Sequence, residues 1–286
     1  MDSSQICRAV AYEEEYKSYI LDTGGNIGAV RRKFDPTCIQ QIDGSLAVLY
    51  QYQPEPFPGG LFAFNGYSSV PKCYGLLDTL AVEATGALRI RRRPGFELNG
   101  QGVLLGLVDT GIDVRNPLFQ EADGTSRVLG YWDQADDSGK PPEGFYYGTE
   151  YDKEQIDETL REGETKDSLL VEDYHGSFLA AVAAGNEDRT NEFTGMAPKA
   201  KFLAVKLKET KNYLRQFYGI RPEVPCFQED DIMLAVRYLW QKARILRMPV
   251  VICMGLGTNS GSHTGYSPFG TQLSRMSTVS GVCVVC

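Results

Sequence analysis

The run Val103-Leu104-Leu105-Gly106-Leu107-Val108, ending at Asp109-Thr110-Gly111, constrains this chain more than any other stretch. A continuous apolar segment of strand length, preceded by Gly102, is what a strand buried on both faces of a parallel sheet requires. An acid at its end is expensive to bury alone, so Asp109 needs a charge or hydrogen-bond partner. Open α/β sheets build their sites at the carboxyl ends of strands, which makes that partner the first functional question.

The chain has two histidines, His175 and His263. His175 opens His175-Gly176-Ser177-Phe178-Leu179-Ala180-Ala181-Val182-Ala183-Ala184, and Gly185-Asn186 follows as a C-cap signal. A compact buried helix with His175 at its mouth and Asp173 just before it is expected. A strand-end carboxylate followed along the chain by a helix-start histidine is the Asp-then-His half of a serine-protease triad in the Asp…His…Ser order. In that pairing His175 is the general base, and Asp109 fixes its tautomer and stabilises the imidazolium. His175 alone would read as an ordinary helix-start histidine; the pair carries the inference. His263 sits in a Ser/Gly/Thr-rich loop and reads as a surface residue.

Asp109-Thr110-Gly111-Ile112-Asp113 with Pro117, His175-Gly176-Ser177, Gly195-Met196-Ala197-Pro198 and the turn Gly255-Leu256-Gly257 together resemble the subtilisin-like serine proteases. Asp123 to Leu129, Trp132-Asp133-Gln134, Pro141 to Phe145 and Gly148 to Tyr151 resemble, more narrowly, the clostridial spore-germination branch. The resemblance covers Leu76 to Cys286 well and the preceding region weakly. It implies an α/β fold with a subtilisin-like doubly wound parallel sheet and peptide-bond hydrolysis through an Asp/His/Ser triad. It also implies a protein or peptide substrate bound as an extended strand along Gly255, Leu256 and Gly257, where absent side chains let backbone approach. By the same resemblance the N-terminal region is a prodomain that occupies the cleft. The germination branch further implies packaging inside spores and activation of a spore cortex-lytic enzyme.

Departures from the family pattern sharpen these expectations. Ser177 stands where Thr is usual, Phe178 where a second His is usual, and Ala181 where Gly is usual. Leu118 replaces the Asp that many subtilases use for calcium, so no metal site is expected, and no cofactor. Gly-Thr-Ser, the family's nucleophile motif, occurs at Gly124-Thr125-Ser126, ahead of His175 and followed by Arg127; order and context are both wrong. With no Gly-Thr-Ser-Met-Ala after His175, the sequence reads as the front portion of a protease, inactive by itself and with a sheet incomplete on its C-terminal side. The alternative is a pseudoprotease that binds or regulates without catalysis. An aspartic protease also uses apolar-Asp-Thr-Gly, but it pairs two such motifs, and one is present.

At 286 residues the chain exceeds ordinary single-domain size, so two unequal units are expected. Residues 1–77 read as a small prodomain-like α+β unit, with strands at Ser18–Asp22 and Leu46–Tyr50, a weak helix within Asn26–Thr37, and a loop at Pro54–Gly60. Residues 78–286 read as the N-terminal part of the catalytic domain. Arg89, Arg91, Arg92 and Arg93 form a basic cluster on the crossing, read as a solvated strand or linker. Helices are expected at Lys153–Arg161, Asp230–Arg247 and Pro268–Ser280, and strands at Lys201–Leu207, Val250–Met254 and Val282–Val285. Strand-helix alternation of this kind makes a parallel sheet with right-handed crossovers.

The formal net charge is −8, but Asp133 to Asp173 holds 14 acids against 4 bases, so the acidity belongs to one segment. Gln120–Tyr174 is therefore expected to be a solvated surface insertion, and nothing favours nucleic acid as a partner. Seven scattered cysteines argue against a disulfide framework and for a reducing compartment, with Cys283 and Cys286 as buried core thiols. Met1–Ser18 has no signal-peptide pattern, which leads to a cytoplasmic expectation. No window approaches the ~18 apolar residues of a membrane span.

Overall fold

A computed structural model describes residues 3–54, 60, 66–76, 98–163, 169, 171–188, 190, 193–262 and 264–286. The N-terminal part contains α1 (Ser3–Val10), β1 (Tyr16–Asp22), α2 (Ile27–Phe34), β2 (Cys38–Gln41) and β3 (Leu46–Tyr52), with the strands in the antiparallel order β1-β3-β2. The Asn26 side chain accepts from the Ala29 N–H and starts α2, the usual way to satisfy an orphan donor at a helix entrance. The Arg89–Arg93 cluster and the 77/78 boundary lie outside the described residues.

After β4 (Cys73–Leu76), the chain forms β5 (Leu104–Asp109), β6 (Val128–Asp133), β7 (Thr149–Asp152), α3 (Lys153–Glu162) and α4 (His175–Ala184). Then follow β8 (Lys201–Lys206), α5 (Asn212–Tyr218), β9 (Phe227–Gln228), α6 (Glu229–Leu246), β10 (Val250–Met254), β11 (Leu256–Gly257), α7 (Pro268–Ser277) and β12 (Val282–Val285). The main sheet runs β12-β10-β5-β8-β6-β7, parallel throughout except for the β6–β7 edge. Strand periodicity divides its apolar residues between two layers. Leu104, Val108, Leu203 and Val205 pack with Ile232, Val236 and Leu239 of α6. On the opposite face Leu105, Leu107, Phe202 and Ala204 pack with Ala180 and Ala184 of α4 and Ile156 of α3. This is the doubly wound sheet that the alternation predicts.

The acidic stretch is corrected by the structure. Within Gln120–Tyr174, β6 is an internal strand of the main sheet, with Val128, Tyr131 and Trp132 fully buried. Trp132 packs against Phe145, Tyr147 and Tyr238. Among the described residues, Asp136, Asp137 and Glu143 lie in the loop after β6, and Glu154, Asp157, Glu158 and Glu162 lie on α3, whose capping box joins Asp152 and Gln155; averaging them over the window hides a short buried strand.

The cysteine expectation also fails in part. Cys7 of α1 and Cys38 of β2 form a disulfide, which closes a loop of the N-terminal unit. Cys283 and Cys286 are exposed, because β12 is the edge of the main sheet and turns only Val282 and Val284 toward the core.

The N-terminal sheet docks on α6 and on the segment before α5. Val10, Ile20, Val48 and Tyr50 share one apolar cluster with Ile232, Met233 and Leu234. Lys211 Nζ donates to the carbonyls of Val10, Glu13 and Tyr16 at 2.8, 3.0 and 3.0 Å. Beneath this contact Asp230 is fully buried and accepts from Gln228 Nε2. Burial, and then the charge of Asp231, raise its pKa from 3.8 to about 6. Between those values the folded protein holds a proton that the unfolded chain releases, so this group's contribution to stability is lost as pH rises through about 6. Asp230→Asn is expected to remove up to ~3 kcal/mol of that decline, seen as a flatter dependence of urea unfolding free energy between pH 4 and 7. An unchanged slope would assign the titration elsewhere.

Candidate active site

β5 delivers Asp109 to the carboxyl end of the main sheet, where the residue has no solvent exposure. Its Oδ1 accepts from the Thr110 N–H at 2.7 Å, and the Thr110 hydroxyl oxygen lies 3.2 Å away. His175 Nδ1 lies 2.8 Å from the same oxygen. An ionised carboxylate only accepts, so Nδ1 carries the hydrogen and Nε2 is the basic nitrogen of the neutral ring. The His175 side chain keeps 16% of its exposure while that of Asp109 keeps none: the orienting group is dry and the base reaches the surface.

The strand end and the helix mouth are laced together. The Thr110 hydroxyl donates to the Asp173 carbonyl at 2.9 Å and accepts from the Gly176 N–H at 3.0 Å. Asp173 Oδ1 accepts from the His175 N–H at 2.8 Å, and Ser177 Oγ accepts from the Asp113 N–H at 2.8 Å. Ser177 therefore keeps the hydroxyl that a Thr would bring. Gly176 is required here: a Cβ would lie 2.3 Å from the Gly111 carbonyl and 3.1 Å from Asp109 Cβ. The sequence reading missed the roles of Thr110 and Asp173, although a hydroxyl directly after the strand-end acid and an acid two residues before the histidine are the signals that mark them.

Gly255 closes the same corner. A Cβ on it would sit 2.2 Å from Leu179 Cδ1, 3.1 Å from His175 Cε1 and 3.2 Å from Asp109 Oδ2. Its missing side chain thus makes room for the Asp–His pair, a different reason from the backbone access expected of it. Leu256 and Gly257, as β11, pair antiparallel with Leu76 and Gly75 of β4. This strand was not legible in the sequence, since a stretch as short as Cys73-Tyr74-Gly75-Leu76 becomes a strand only through the partners it finds. The register carries β4 toward Gly255, hence toward His175.

Ser126 stands elsewhere. It is fully buried at the amino end of β6, the end of the sheet away from Asp109, and its Oγ accepts from the Val128 N–H at 2.9 Å. It cannot meet His175. His263 lies outside the described residues.

Residues 100–286 match the subtilase family. The chain belongs to that family. Among solved structures, this subtilase chain is similar to the CspB protease of Clostridium perfringens, at 23% identity and a TM-score of 0.58, over 71% of this chain and 38% of that one. It spans little more than a third of that protein's length. MycP1 with its N-terminal propeptide removed matches at 16% identity and a TM-score of 0.29, over 60% of this chain and 47% of that one. No curated protein matches.

Proposed function

We propose that the protein is a serine endopeptidase in which His175 is the general base and Asp109 its orienter, acting on extended peptide laid along Leu256 and Gly257. The observation that carries the reading is the 2.8 Å contact between His175 Nδ1 and a fully buried Asp109, set beside a glycine whose neighbours already hold a paired strand. Strand addition supplies main-chain hydrogen bonds that are indifferent to sequence, and side-chain pockets then select.

In this reading β4 is the tail of a prodomain formed by residues 1–77, held in the cleft as a substrate would be. No Gly-Thr-Ser-Met-Ala motif follows His175 in these 286 residues, and in this reading they hydrolyse nothing by themselves. The spore-germination setting and a cortex-lytic enzyme as substrate rest on the motifs between Asp123 and Tyr151.

N-terminal sequencing of the mature protein tests the cleft assignment: a new terminus is expected within Gly75–Asp78, at or just past the β4–β11 pairing. An uncut chain with measurable peptidase activity would count against self-processing. A fluorophosphonate probe should label the complete protein and leave the 286-residue chain unlabelled; labelling of the latter would locate a nucleophile within it.

A further inference from the structure

The strand in the cleft is gripped one residue beyond its last ladder partner. β4 and β9 pair antiparallel, with Tyr74 opposite Phe227 and Cys73 opposite Gln228. The next pair in that register is Lys72 with Glu229, but Glu229 is the first residue of α6, so its carbonyl belongs to the helix. Its side chain takes the carbonyl's place. The Glu229 N–H donates to the Lys72 carbonyl at 2.7 Å, and Glu229 Oε2 accepts from the Lys72 N–H at 3.2 Å. Both main-chain groups of Lys72 are thus held by one residue, which is 2% exposed. An acid in the first turn of a helix gains from the helix dipole at the surface; that gain does not call for burial against another strand.

Beside this contact lies a cavity of about 480 Å³, lined from the body by Glu229, Thr258, Ser260 and Tyr266 and from the N-terminal unit by Lys72 and Tyr74. Among the described residues of its wall, Glu229 and Lys72 are the charged ones. Lys72 Nζ donates to the carbonyls of Tyr67, at 3.2 Å, and of Val70, and stands 4.5 Å from the centre of the Tyr67 ring. Burial pushes the Glu229 carboxyl up, and the charge of Lys72 is the strongest influence holding it down.

We propose that Glu229 reads the peptide substrate at the place held here by Lys72, accepting the backbone N–H of that residue and selecting a basic side chain on it. This rests on the reading of β4 as the occupant of the substrate position. A buried carboxylate is costly to leave without a cation or a donor, and once the N-terminal unit has left the cleft, the peptide has to supply both. The Tyr67 and Val70 carbonyls that now share the Lys72 ammonium leave with that unit. A substrate's cation therefore has Glu229 as its charged partner in the cavity. A neutral residue would satisfy the N–H contact alone, and an acidic one would set two carboxylates side by side.

Two measurements test the assignment. In the 286-residue chain, amide exchange is followed by NMR at Lys72, with the Val48 amide of β3 as the reference for the fold. Relative to Val48, the Lys72 amide should exchange about tenfold faster in Glu229→Ala, and at the parent rate in Glu229→Gln, whose amide oxygen still accepts. An unchanged relative rate in Glu229→Ala would overturn the clasp. In the complete protein, kcat/KM is compared for internally quenched peptides copying residues 70–79 with Cys73→Ser. These carry lysine, norleucine or backbone-N-methylated lysine at the place of Lys72. Lysine should be favoured over norleucine by about tenfold, the scale of one hydrogen bond to a charged group. Glu229→Gln should erase that preference and keep the loss on N-methylation. Equal rates for lysine and norleucine in the parent enzyme, or a preference that survives Glu229→Gln, would overturn the proposal. If the complete protein cuts none of the peptides while the Lys72 amide responds as expected, the peptidase reading itself falls, and the substrate role of Glu229 falls with it.

Discussion

Replacing His175 with alanine in the complete protein is expected to lower kcat by about 10⁶-fold, the scale on which a triad loses rate when its base is removed. That corresponds to ~8 kcal/mol of barrier at 1.36 kcal/mol per tenfold. The loss is large because the base is needed twice, to take the nucleophile's proton and to return it to the leaving amine. KM should change little if, as proposed, the peptide pairs with Leu256 and Gly257, which here pair with Leu76 and Gly75 and whose backbone the substitution does not touch. Asp109→Asn should cost less, about 10⁴-fold, by stabilising the wrong tautomer while leaving the ring in place. Steady-state cleavage of a fluorogenic peptide, with folding checked by thermal melting, decides both. Full activity of His175→Ala would remove the histidine from the chemistry, and with it the reading of the site.

Gly176→Ala should damage fold and site together. The new methyl meets the backbone oxygen of Gly111 at 2.3 Å, and backbone cannot swing aside as a side-chain tip can. Forcing α4 away from the end of β5 should cost about 3 kcal/mol, the upper part of the overpacking range. It should also lengthen the Asp109–His175 contact, and a displacement near 1 Å costs about 10²-fold in rate. Gly255→Ala should be milder in stability, because its closest clash is the flexible Leu179 Cδ1. Gly44→Ala, with no atom within 4 Å of its Cβ position, serves as a neutral reference. Equal urea midpoints for the Gly176 and Gly44 variants would show that the helix mouth has slack.

The docking of the N-terminal unit shows why these effects should be read on the intact chain. Its sheet shares an apolar cluster with α6, and α6 packs on β5, the strand that carries Asp109. Loss of that contact would expose apolar surface on both sides, so a variant that undocks the unit would change stability and cleft access together.

Asp109 and His175 were legible from sequence because each sits at the end of an element with an unambiguous local signal, an apolar run in one case and a small-residue helix in the other. Chain order supplied the pairing, and the main sheet followed from strand-helix alternation. What sequence could not carry was anything whose stability comes from distant partners. β4 exists through β9 and β11; β6 is a core strand because β8 lies beside it, though acids crowd its neighbourhood. Cys7 meets Cys38 because α1 packs over β2, and scattered spacing says nothing of that. The crowding around Gly255 was also hidden: its neighbours, Leu179, His175 and Asp109, come from two segments far away in the chain. Periodicity is a local property and survives in the sequence; steric contact between remote segments is decided only when the chain has folded.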